Sequence, residues 1–156
     1  LGAVLATFVA VYTGWLFGQA KGRDLWQSAL SPVHLGIQAI VAGAAILILL
    51  KPDELSDLRG LLAVALMFEL PFILLEVFGK HSTEAAAIAA RSMTIGSRGK
   101  WFYVGAIGAG RILPILLIIG TSASELSHGF TALLALAGIA IWEHLWVEAP
   151  QRLPLA

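Results

Sequence analysis

The 156 residues carry ten basic and ten acidic side chains, 58% hydrophobic residues and 13% charged ones, with a mean hydropathy of +0.85. Soluble domains are about a quarter charged, so lipid rather than water is the solvent for most of this chain. Balanced charge without a basic patch interleaved with aromatics argues against a nucleic-acid partner, and the lack of cysteine excludes disulfides, Cys zinc sites and cysteine-held iron–sulfur clusters within these residues.

A spanning helix needs about 20 predominantly apolar residues, because about 30 Å of hydrocarbon is crossed at about 1.5 Å per residue. Five segments meet this, Leu1 to Ala20, Leu30 to Leu50, Leu58 to Gly79, Trp101 to Gly120 and Leu126 to Val147. The expected fold class is all-α, a polytopic transmembrane bundle of about five helices in a single domain. The breaks carry charge and turn signals: Lys21-Gly22-Arg23-Asp24, Lys51-Pro52-Asp53-Glu54, Lys80-His81, Ser97-Arg98-Gly99-Lys100 and Thr121-Ser122-Ala123-Ser124-Glu125. Leu1 lies inside an apolar run with no basic n-region before it, and the chain is expected to be the C-terminal part of a longer polypeptide.

The connector from Lys80 to Lys100 holds an alanine-rich stretch, Thr83 to Arg91, with a Ser/Thr cap at its start and a stop at Gly96. It predicts a short helix over 83–95, lying at the membrane interface or as an ordinary surface helix. Connectors alternate sides, so Lys and Arg counts give orientation. One side holds Lys21, Arg23, Lys80, Arg91, Arg98, Lys100 and Arg152, and the other Lys51 and Arg59; this predicts a cytoplasmic C-terminus. All five tryptophans, Trp15, Trp26, Trp101, Trp142 and Trp146, fall toward the same cytoplasmic half. Either a partner covers the opposite ends or the distribution is chance.

Charged side chains at the bilayer centre cost at least about 2.5 kcal/mol on insertion scales, which makes them functional candidates. Glu69 and Arg111 each lie about ten residues inside their segments and so near the midplane. Antiparallel helices would pair them, either to lock the bundle or to line a water-filled proton route. Pro71 and Pro114 follow closely; each removes a helical hydrogen bond and favours a kink. A second polar set, His34, Gln38, Glu76, Glu143 and His144, reads either as snorkelling side chains or as cytoplasmic access toward Glu69. Gly14 with Gly18 and Ala106 with Gly110 are small residues at helical spacing that allow close packing. Tyr12, with Trp15 three residues on, is either a core tyrosine or a hydrogen-bond donor to a carbonyl such as a quinone's.

Tyr12-Thr13-Gly14, Trp26 with Ser31-Pro32, Glu69, and Gly110 with Pro114 resemble the polysulfide-reductase membrane-subunit family, often called NrfD-like. The tail from Glu143 through Trp146, Ala149-Pro150-Gln151 and Leu153-Pro154-Leu155 is similar to that family's closing Trp, Ala-Gly-Gln and Pro-Leu-Ser pattern, with Pro150 in place of Gly and Ala156 in place of Ser. The resemblance implies the last five helices of an eight-helix or larger subunit in a bacterial or archaeal inner membrane. It further implies menaquinone or ubiquinone as bound substrate, with no heme or cluster in this chain. The implied partners are a ferredoxin-like iron–sulfur subunit and a catalytic subunit of molybdopterin or another type. Tyr12 and Trp15 become the expected quinone contacts, and Glu69, Arg111, His34, Gln38, Glu76 and His144 the expected proton pathway. Two other readings remain open. One is a secondary transporter or channel using Glu69 and Arg111 at the midplane; the other is a cytochrome b with His34 and His144 as axial ligands.

Overall fold

A computed structural model describes residues 2–50, 55–120 and 125–153. Among these described residues six helices follow one another: α1 (Gly2–Gly18), α2 (Ser31–Leu50), α3 (Leu55–Phe78), α4 (Glu84–Met93), α5 (Gly96–Gly120) and α6 (Glu125–Gln151). A 3-10 turn, Asp24–Gln27, sits between α1 and α2. Helices α2, α3, α5 and α6 are each long and apolar enough to cross a membrane, and α1 contributes a shorter apolar stretch, Leu5–Gly18. The predicted breaks at Lys51 to Glu54 and Thr121 to Ser124, with Leu1 and the tail residues Pro154 to Ala156, lie outside the described residues.

Four helices close a ring. α2 packs on α3, α3 on α5, α5 on α6 and α6 back on α2, while α1 rests on α2. Gly14 makes that seat possible: a Cβ there would lie 2.6 Å from Pro32 Cα. Gly18 has no such constraint, its nearest contact being the Trp26 carbonyl oxygen at 4.0 Å. Along the ring axis two apolar clusters alternate with a polar layer. Leu62, Leu66, Val41, Ile48 and Ala135 fill one end, and Ile73, Phe102, Trp142, Trp146 and Met93 fill the other. Glu69 falls between Leu66 and Ile73 on α3, and Arg111 follows Ala106 on α5, so the charges are held between apolar slabs. α3 continues through Pro71, and α5 through Pro114.

The second apolar end is capped by the first connector, α4 and the tail. Arg23 Nη1 donates to the carbonyls of Pro150 at 2.5 Å and Leu153 at 2.9 Å, satisfying oxygens that the end of α6 leaves without helical partners. Trp26 Nε1 donates to the Trp146 carbonyl at 3.3 Å, and Phe17 stacks edge-on to both tryptophans. Thr83 Oγ1 accepts from Ala86 N at 3.2 Å, capping α4, and donates to Asp24 Oδ2 at 2.7 Å. The three segments assigned to one side by their charge thus do meet at one end.

Two expectations need correction. α5 begins at Gly96, not Trp101, so Ser97-Arg98-Gly99-Lys100 forms its first turn rather than a break. Gly96, at φ +64, makes the reversal there; Arg98 and Lys100 can sit in a terminal turn because their long stems let the charges reach the headgroups. α6 runs on through Pro150 to Gln151, beyond Val147. Trp142 and Trp146 of α6 are buried in the core. The predicted 83–95 helix forms over Glu84–Met93, and its small face, Ala86, Ala89, Ala90 and Met93, is buried against α3 and α6.

Candidate functional site

Glu69 and Arg111 are both completely buried, at 0% exposure. Arg111 Nη2 donates to Glu69 Oε1 at 2.5 Å and Nε to Oε2 at 3.2 Å, a forked guanidinium–carboxylate pair. Its remaining terminal nitrogen, Nη1, donates to the Ala106 carbonyl at 3.1 Å, five residues earlier on the same helix. Trp101–Ile112 is wound as a π-helix, whose i→i+5 spacing widens each turn and changes which carbonyls a side chain can reach. In lipid an unsatisfied donor costs several kcal/mol, and this arrangement leaves none of the guanidinium nitrogens without an acceptor.

The glycine that admits this pair was not apparent from spacing within one helix. A Cβ on Gly110 would collide with Gly138 Cα on α6, and a Cβ on Gly138 would collide with Gly110 Cα and come 3.0 Å from Arg111 Nη1. Two glycines on different helices therefore let α5 and α6 touch backbone to backbone beside the guanidinium. Gly138 is the partner that Gly110 required; the helical spacing of Ala106 and Gly110 marks a face but not what it meets.

His34 joins this pair to a second carboxylate. Its Nε2 lies 3.7 Å from Glu69 Oε1, and its Nδ1 shares a 2.7 Å hydrogen bond with Glu76 Oε2. Glu76 Oε1 also accepts from Ser31 Oγ at 3.3 Å. The ring of Trp142 packs on the imidazole at 5.4 Å between centroids and fixes its plane. Glu69 and Glu76, seven residues apart, lie two helical turns apart on one face of α3, and His34 of α2 bridges them. The order is Arg111, Glu69, His34, Glu76, Ser31. Gln38, Glu76, His34 and half-buried Glu143 line a narrow crevice beside this series, and Glu143 also lines the outward-facing groove next to it. Glu143 thus stands where the buried series meets the surface.

The remaining predicted residues lie elsewhere. His144 points away from the crevice, with its side chain 75% exposed and Nε2 3.9 Å from Glu148. Buried His34 and outward His144 therefore do not make a facing axial pair. Tyr12 and Trp15, 54% and 57% exposed, lie on the outward side of α1, opposite Gly14 and its seat on α2. His128 and Thr131, buried on α6, had no sequence signal beyond being polar in an apolar helix.

Long apolar helices, a closed ring and a buried charged layer define a multi-pass helical membrane protein. The family model for polysulphide reductase, NrfD, matches residues 1–147, and the chain belongs to that family. It is 29% identical over 153 residues to a selenate reductase subunit of Mesobacillus selenatarsenatis, covering 89% of this chain and 34% of that protein. It is 30% identical over 151 residues to one of the polysulfide reductase chains of Wolinella succinogenes, covering 87% and 48%. The chain thus spans about a third to a half of the length of these relatives. No solved structure matches it significantly.

Proposed function

We propose that this chain is part of the quinone-interacting membrane subunit of a respiratory oxidoreductase, exchanging electrons between menaquinone or ubiquinone and an external iron–sulfur subunit. The observation that carries the reading is the buried series Arg111–Glu69–His34–Glu76 inside a member of the NrfD family. Quinol oxidation releases two electrons and two protons; the electrons leave through the partner subunit and the protons need acceptors inside the membrane. An imidazole between two carboxylates takes a proton at one nitrogen and gives one up at the other. The 2.7 Å contact to Glu76 is already a hydrogen bond, and a small rotation or one water closes the 3.7 Å gap to Glu69. Arg111 holds Glu69 in place, and Glu143 replaces His144 as the access group toward the end that carries the C-terminus, which the Lys and Arg count assigns to the cytoplasm.

Tyr12 supplies a phenol and Trp15 a ring to the quinone, on the face of α1 that lies outside the ring of helices. The test is quinol turnover by the full-length subunit in its complex. Tyr12→Phe removes one hydrogen bond, and about a tenfold rise in quinol KM is expected; an unchanged KM removes Tyr12 from the pocket. His34→Gln keeps a polar side chain but cannot relay a proton, and turnover is expected to fall about a hundredfold or more. Wild-type turnover in His34→Gln would sink the proton route, and ion flux without quinone would favour a transporter.

A further inference from the structure

A groove of about 550 Å³ runs between the first turns of α5 and the last turns of α6, away from the buried polar series. Its two ends differ in chemistry. Trp101, Ile141 and Leu145 make an apolar wall. The other end holds Arg98 and Arg152. Arg152 Nη2 donates to Glu148 Oε1 at 2.5 Å, which offsets the one carboxylate of the groove. Among the described residues Arg98 donates a single long hydrogen bond, to Ser92 Oγ at 3.4 Å. The polar end therefore retains a net positive charge at the mouth of an apolar channel.

We propose that this groove binds one anionic phospholipid, its phosphate between Arg98 and Arg152 and one acyl chain along Trp101 and Ile141. From Ile141 to Arg152 the helix rises roughly 16 Å, a span that leads from the headgroup region into the hydrocarbon. Both arginines belong to the set that makes this end of the molecule basic, and anionic lipid is enriched against such segments. An exposed Trp at the same level fits the interfacial preference of indole. A free inorganic anion would engage only the arginines; the apolar wall lies at the depth of acyl chains, so an occupant that spans both ends carries chains as well as charge.

The experiment is native mass spectrometry of the full-length protein released from nanodiscs of phosphatidylglycerol or phosphatidylcholine. Wild type is expected to retain one phosphatidylglycerol and to lose phosphatidylcholine. The double variant Arg98→Gln/Arg152→Gln should bind phosphatidylglycerol about thirtyfold more weakly, at about fivefold per arginine near a membrane surface. Arg91→Gln, at the same end but lining a different groove, should leave retention unchanged, and inorganic phosphate should fail to displace the lipid. Equal retention of both lipids, equal loss in Arg91→Gln, unaltered binding in the double variant, or displacement by phosphate would each overturn the site. So would a partner subunit that protects Arg98 and Arg152 from modification while no lipid is retained.

Discussion

The four-helix ring and the first helix are both apolar by composition, yet they treat polar side chains in opposite ways. In the ring Glu69, Arg111, His34 and Glu76 are buried and mutually bonded. On α1 the polar phenol of Tyr12 and the neighbouring Trp15 face outward, while Gly14 makes a tight contact against Pro32. The difference teaches that charge inside the ring is a matter of stability as well as chemistry, whereas the α1 face can be altered without disturbing the bundle.

Substitutions can break or sharpen that contrast. Glu69→Ala has the largest expected effect, because it leaves Arg111 buried without its carboxylate, at a cost of about 3 to 5 kcal/mol. Reversible unfolding in mixed detergent micelles measures it, and a wild-type midpoint would show that the pair does not hold the ring. Gly138→Ala drives a methyl onto Gly110 and toward Arg111; overpacking of this kind costs about 1 to 3 kcal/mol. The same unfolding assay should place it below Glu69→Ala. Thr83→Ala removes the cap of α4 and the bond to Asp24, for about 1 kcal/mol, read by faster hydrogen exchange in α4 without change in the ring. Tyr12→Phe should move stability by less than about 0.5 kcal/mol while altering quinol KM. A large loss of stability there would mean α1 is bound into the fold more tightly than its exposed face indicates.

Much of this fold was legible because lipid imposes a simple rule: every spanning segment must be long, apolar and free of stray charge. The four long helices and the shorter α1 follow from that, and so does the attention drawn to Glu69 and Arg111, whose burial could be tolerated only as a pair. Thr83 and Gly96 were readable for a local reason, since a cap and a left-handed glycine act within a few residues. What escaped depends on contacts between helices. Nothing in the sequence tells that His34 bonds Glu76 rather than reaching for the headgroups, or that Gly138 sits against Gly110. His144 and Glu143 are adjacent in the chain, and one residue of helical rotation, about 100°, separates the crevice from the outside. The start of α5 escapes any rule in which charge ends a helix, because Gly96 has already made the turn before Arg98 and Lys100.

The bond from Arg23 to the carbonyl of Pro150 spans 127 residues, and this carries a consequence in time. At about 5 to 20 residues per second, the ribosome delivers Arg23 about 6 to 25 seconds before its acceptor exists. The capped end of the bundle therefore closes only after α6 has been made. A nascent chain stopped before Pro150 would leave the Arg23 guanidinium without this acceptor, and the first connector without its tie to the end of α6.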